Sequence, residues 1–460
     1  MQNWQASCCK PLFCYFCIRN SNLLILKRKV AFHTLGCKLN FAETSTIART
    51  FPEEKFERVS PDGHADIYVI NTCTVTEAAD RKTRQTVRKF ISHNPEAFIA
   101  VVGCYAQLRQ EEAAAIEGVD LVLGTYEKFD VARYIDNLQK RTAPEIHSCE
   151  SIDTDGFMSS WSAGDRTRSF LKVQDGCDYH CSYCTVPLAR GRSRNPFISE
   201  IIPEAEKIVD TGVMEIVLTG VNVGDFGRST NETLEQLLSS LVKVKGLQRV
   251  RLSSIEPNLL TDNIIELIAS EKVLLPHIHM PLQSGNDRIL GLMRRRYRRE
   301  VFRDRVLKIR ERIPDAGIGA DVIVGFPGET EEEHADTYGF LESLPLTYLH
   351  VFAFSPRPGT PAAGLPGTVS KHEKERRSRQ LIRLSESRRM QFMHSAGGKI
   401  HDVLFEQRGH DGMVAGLTGN YIRVLTPWEK GLPGTIRSVM LTTLRDDTSM
   451  NGRLTETGKL

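Results

Sequence analysis

Cys177, Cys181 and Cys184 stand in the spacing CxxxCxxC, within Asp175-Gly-Cys-Asp-Tyr-His-Cys-Ser-Tyr-Cys. Structural zinc sites generally use paired knuckles or four ligands. Three thiolates on one short loop instead suit a cubane of four irons, with three irons held by cysteine and the fourth left open. Cys37, Cys73 and Cys104 form a second constellation, because each closely follows a short β-rich run. In a parallel sheet such strand ends share one edge, so thiols far apart in sequence converge in space. The plain alternative is three buried structural cysteines, since cysteine is commonly buried. Equivalent placement at three strand ends favours a ligand role. No fourth ligand is evident, so an open iron is expected here too.

The elements that must position these residues are legible in the pattern. β-rich runs at Val30–Thr34, Ile67–Asn71, Phe98–Val102 and Leu121–Leu123 alternate with helix-like stretches such as Ala78–His93. This alternation predicts a parallel, doubly wound sheet over 29–140. The Ser/Asp/Gly-rich stretch 141–166 reads as a linker. A second series over 167–370 has candidate strands at Phe170–Val173, Glu215–Leu218, Val250–Ser253, His277–Met280, Ala320–Val324 and Tyr348–Phe354. Six βα repeats predict an open or partial (β/α) barrel, with the CxxxCxxC loop at its C-terminal face. A basic connecting helix over 371–396 follows. Short strands parted by Gly-containing turns over 397–446 predict a small all-β barrel, and 447–460 reads as a tail. Residues 1–28, with Cys8, Cys9, Cys14 and Cys17, fit neither period and read as an extension outside the fold.

The 460 residues are 40% hydrophobic and 25% charged, which excludes disorder and small disulfide scaffolds. Arg19, Asn20, Ser21 and Asn22 break the most apolar run, so no membrane partner is expected. Eleven cysteines without an export signal argue for a reducing, cytoplasmic setting. The net charge of +3 conceals two basic runs. Arg294–Arg312 carries ten Lys/Arg against three carboxylates, and Lys371–Arg389 eight against three. Solvated helix faces would explain either run alone. Together they suggest a polyanionic partner.

From about Lys29 to Leu444 the chain resembles the radical-SAM methylthiotransferases. CxxxCxxC is shared by all radical-SAM enzymes, and its combination with the strand-end cysteines and a terminal β-module is more specific. The resemblance implies an α/β architecture with a flavodoxin-like N-terminal domain, a partial (β/α)6 radical-SAM barrel and a TRAM-like RNA-binding barrel. It implies two [4Fe-4S] clusters, one on Cys37, Cys73 and Cys104, the other on the catalytic trio Cys177, Cys181 and Cys184. Thr34-Leu-Gly-Cys-Lys-Leu-Asn and Asn71-Thr-Cys-Thr-Val-Thr look like the branch acting on N6-threonylcarbamoyladenosine in tRNA.

The same resemblance implies S-adenosyl-L-methionine as cofactor. Gly220 and Asn222 occupy the family's glycine-rich motif, Gln283 lies in a later loop, and Asp321, Gly325 and Glu329 lie in the motif near ribose and adenine. Each also has a structural reading, as turn glycine, buried cap or helix start. The implied partners are tRNA and an electron donor such as flavodoxin or ferredoxin. Tyr421, Arg423 and Trp428 are expected to stack on bases or contact phosphates. Rival readings are the same chemistry on isopentenyladenosine or on a ribosomal-protein aspartate, and a non-enzymatic iron–sulfur RNA-binding protein.

Overall fold

The computed structural model describes residues 27–135, 140–149, 156–164, 167–408, 412–446 and 448–455. The cysteines before residue 27 lie outside the described residues. Strands β1 (Arg28–Thr34), β2 (Phe56–Val59), β3 (Ile67–Thr72), β4 (Phe98–Gly103), β5 (Leu121–Leu123) and β6 (Glu145–His147) form one parallel sheet. Its order is β2-β1-β3-β4-β5-β6. β3 and β4 are buried along their whole lengths, as strands covered on both faces must be. The order reverses between β1 and β3, and ligands of such sheets bind at this switch point. The linker expected over 141–166 contributes β6, so the sheet extends past residue 140. Three residues are too few to show a period.

Strands β7 (Arg168–Lys172), β8 (Glu215–Thr219) and β9 (Arg249–Leu252) form one parallel sheet. β10 (His277–Gln283), β11 (Gly317–Val324) and β12 (Tyr348–Ala353) form another. Only isolated bridges, Val250 to Leu274 and Ser254 to His279, join the halves among the described residues. The six repeats thus make an open barrel. Its outer layer buries Ile278, Met280, Ile318, Ala320 and Val322 against helices that include Leu234–Leu241, Asp262–Ser270 and Arg299–Arg312.

The helix Lys371–Ala396 packs along β12 and leads to β13 (Ile400–Arg408), β14 (Met413–Thr418), β15 (Arg423–Pro427), β16 (Ile436–Leu444) and β17 (Ser449–Leu454). These close into a barrel in the order β13-β14-β15-β17-β16. β17 lies in the stretch expected as a tail, and the barrel cannot close without it. No described helix is long and apolar enough to cross a membrane.

The β-module seats on the N-terminal ends of the strands of the open barrel. Arg249 donates to the carbonyls of Leu417 and Asp402 at 3.1 and 2.7 Å, and Arg251 to that of Gly419 at 2.9 Å. Arg251 also holds buried Glu215 at 2.8 Å. Tyr421 stacks on His277 with ring centroids 4.4 Å apart and lies under the Arg251 guanidinium. Tyr421, expected to serve RNA, thus has its ring in an interdomain contact while the residue remains 37% exposed. Arg423 and Trp428 are exposed.

Candidate functional site at the strand ends

Cys37, Cys73 and Cys104 follow β1, β3 and β4 directly, on one edge of the sheet. Cys37 precedes helix Lys38–Arg49, and Cys104 begins helix Cys104–Leu108. Gly36, at φ 103°, lets the first loop approach the second, since a Cβ there would lie 2.6 Å from Cys73 Cβ. Gly103, at φ 94°, would with a Cβ strike the Asn71 side-chain oxygen at 2.4 Å. Asn40 ties the loops together. Its amide donates to the carbonyls of Leu35 and Thr72 at 2.8 and 3.0 Å, while its oxygen lies 3.8 Å from Cys37 Sγ.

Across the domain boundary, Cys177, Cys181 and Cys184 occupy the loop after β7. The amides of Tyr179 and Val186 point at the sulfurs of Cys177 and Cys184, each at 3.4 Å. Arg295 donates to Cys181 Sγ at 3.1 Å and pairs with Glu256. Sequence reasoning assigned Arg295 only to a basic run. Burial pushes the thiols of Cys73, Cys177 and Cys184 up to about 12. Binding of metal must therefore displace protons from them.

Among the described residues, His279, Asp321 and His350 alone place three ligand-type atoms within 4.8 Å of one another.

The two edges are joined through their helices. Helix Cys104–Leu108 packs on helix Val186–Arg190, and Thr125 donates to the Ala189 carbonyl at 2.8 Å. Between them opens a cavity of about 750 Å³, lined by Gln107, Cys149, Cys177, His180 and Arg192 among others. Cys149 lies in the stretch expected as linker.

The residues expected to contact S-adenosylmethionine divide into two groups. Gly220 and Asn222 follow β8, where the Asn222 backbone amide donates to the Gln174 side chain at 2.9 Å. Both polar atoms of the Asn222 side chain are buried without a partner, as are Asp225 Oδ2 and Ser253 Oγ. Such orphaned atoms are rare unless a ligand completes them. They stand at the C-terminal ends of β8 and β9. Gln283, at φ 71°, ends β10 after a bulge. Asp321 faces the barrel interior, with Oδ1 2.9 Å from His279 Nε2 and 3.3 Å from His350 Nδ1. These histidines hold its carboxyl below the usual range against the opposing effect of burial. Gly325 and Glu329 are drawn elsewhere. Glu329 accepts from the Gly325 amide and Arg377, both at 2.6 Å, and so clamps its loop to helix Lys371–Ala396.

The basic runs behave differently from one another. Along Arg294–Arg312, Arg295, Arg299, Arg305 and Arg312 pair with Glu256, Asp336, Asp262 and Glu266. That run largely fastens the barrel's own helices. On the second run Arg376 and Arg377 are similarly engaged, whereas Arg379 and Arg383 are exposed.

Residues 29–124 match the model of the uncharacterized protein family UPF0004, and residues 171–341 that of the Radical SAM superfamily. The threonylcarbamoyladenosine tRNA methylthiotransferase MtaB of Bacillus subtilis is 40% identical over 90% of this chain and 93% of its own. Its namesake in Aquifex aeolicus is 37% identical over 86% and 96%. The tRNA-2-methylthio-N(6)-dimethylallyladenosine synthase of Frankia casuarinae is 34% identical over 78% and 68%. Among solved structures, the radical S-adenosylmethionine methyltransferase TsrM of Kitasatospora setae matches with a TM-score of 0.53 at 16% identity. The match covers 74% of this chain and 77% of that one, and the likeness is one of fold.

Proposed function

Since the chain belongs to the radical-SAM methylthiotransferases of the MtaB type, we infer that its two cysteine edges cooperate in one reaction on tRNA. The protein adds a methylthio group to carbon 2 of N6-threonylcarbamoyladenosine, using S-adenosylmethionine and [4Fe-4S] clusters. The observation that carries this reading is the direct packing of helix Cys104–Leu108, which begins at one cysteine edge, on helix Val186–Arg190, which follows the other.

Cys177, Cys181 and Cys184 hold one cluster, and Cys37, Cys73 and Cys104 the other. The first cluster would supply the electron that reductively cleaves S-adenosylmethionine to methionine and a 5′-deoxyadenosyl radical, and the second would supply the sulfur to be transferred. The chain's own residues bind and orient. Asn222, Asp225 and Ser253 offer their orphaned polar atoms to the amino and carboxylate groups of S-adenosylmethionine. Gln283 and Gly220 shape the same mouth. Gly325 and Glu329 act at one remove, by fixing their loop.

The exposed arginines of helix Lys371–Ala396, with Arg423 and Trp428, hold the tRNA backbone. The anticodon loop suits this binding, because its bases are free to splay out. A flavodoxin- or ferredoxin-type donor supplies electrons, and the setting is the reducing cytoplasm. The test is anaerobic turnover of reconstituted protein with two anticodon stem-loops. Conversion of the threonylcarbamoyl substrate but not the isopentenyl one supports the reading. The opposite preference overturns the choice of nucleoside.

A further inference from the structure

Five charged side chains at the boundary between the cysteine edges are almost removed from solvent. Arg190, Lys128, Lys172, Glu43 and Asp175 are each at most 4% exposed. Glu43 is their hub. It receives Lys128 at 2.5 Å, Lys172 at 3.1 Å, and both terminal nitrogens of Arg190 at 2.9 and 3.0 Å. Asp175, two residues before Cys177, takes Lys172 at 2.6 Å and Arg190 at 3.0 Å. Partly exposed Arg194 lies 3.4 Å from the same carboxylate. The buried set thus holds three cations against two carboxylates, an imbalance that low-dielectric surroundings make costly unless an anion completes it.

That anion has an address. Arg190 also donates to the Asn40 side-chain oxygen at 2.8 Å, the same oxygen that faces the Cys37 thiol. Arg190 also ends helix Val186–Arg190, which packs on the helix that begins at Cys104. A four-iron core of formal charge two plus, held by three thiolates, is an anion of about one unit and gains another on reduction.

Resting on the function proposed above, we propose that Arg190, supported by Lys128 and Lys172, is the electrostatic counterpart of the cluster on Cys37, Cys73 and Cys104. Its buried surplus of positive charge favours the reduced form of that cluster. Arg190 is a positioning residue in this scheme. Through Asp175 it also fixes the stance of the cluster relative to the Cys177 loop. Net charge and hydrogen bonding are the means by which proteins set iron–sulfur potentials.

The test is spectroelectrochemical titration of the full chain carrying Cys177→Ala, Cys181→Ala and Cys184→Ala, so that one cluster remains. Arg190→Gln and Lys128→Met each remove a cation and should make that cluster harder to reduce. The expected change is about tenfold in the one-electron equilibrium, or roughly 59 mV. Glu43→Gln removes a carboxylate and should shift the potential the other way, whereas Arg190→Lys should stay near the parent. A loosened interface would move cation and carboxylate variants alike, so opposite signs separate the charge effect from damage. Shifts of one sign, or less than about twofold in every variant, would overturn the proposal while leaving the reaction intact. Failure of the parent to hold a four-iron cluster would overturn the assignment of Cys37, Cys73 and Cys104, and this inference with it.

Discussion

Arg295 reaches 3.1 Å from the sulfur of Cys181, and its other terminal nitrogen engages Glu256. The guanidinium thereby links the middle cysteine of the loop to a partly exposed carboxylate. A donor of this kind stabilises a thiolate, and hydrogen bonds to charged groups contribute about 1.5–3 kcal/mol. Arg295→Met should therefore slow cleavage of S-adenosylmethionine about tenfold or more. Chromatographic measurement of 5′-deoxyadenosine, alongside iron content, checks this.

The two cysteine edges are separable in function. Cys181→Ala should abolish 5′-deoxyadenosine formation. Cys73→Ala should retain it yet transfer no sulfur to tRNA. Mass spectrometry of both products from one reaction decides the matter, and full activity in either variant contradicts the scheme.

The seat of the β-module rests on a buried charge. Arg251→Met leaves Glu215 without its 2.8 Å partner while both sites remain inaccessible. Removing one member of a buried pair typically costs about 3–5 kcal/mol. Thermal unfolding should register this as a clear loss of stability. Tyr421→Ala should weaken the same seat, with tRNA affinity less affected than stability.

The salt dependence of binding distinguishes the two basic runs. Arg379→Ala and Arg383→Ala, both exposed, should each lower the slope of log affinity against log salt by about one unit. Arg305→Ala and Arg312→Ala should leave that slope nearly unchanged, since both already pair with acidic neighbours. Filter binding across a salt series checks both outcomes.

Much of this arrangement was legible from residue pattern alone. Fully buried strands such as β3 and β4 read as unbroken apolar runs; the CxxxCxxC spacing marked Cys177, Cys181 and Cys184 as candidates, and the shared edge of a parallel sheet marked Cys37, Cys73 and Cys104. β2, β6 and β17 were not legible. β2 and β6 are short, largely unburied edge strands, and β17, Ser-Met-Asn-Gly-Arg-Leu, lacks β-rich composition. Arg190, Glu43 and Lys128 escaped for a different reason. They are separated by up to 147 residues, and an isolated charge in sequence looks solvated until the fold encloses it. The contact of Tyr421 with His277 was not legible, because an aromatic residue beside basic ones suits an RNA surface and an interdomain seat equally well. Glu329 opens a helix in sequence, but its grip on Arg377 is visible only in space.

The most direct measurement is mass spectrometry of nucleosides from bulk tRNA, with and without the gene for this protein. The account predicts selective loss of 2-methylthio-N6-threonylcarbamoyladenosine and accumulation of its unthiolated precursor. Loss of the isopentenyl analogue instead, or no change in either nucleoside, would contradict it.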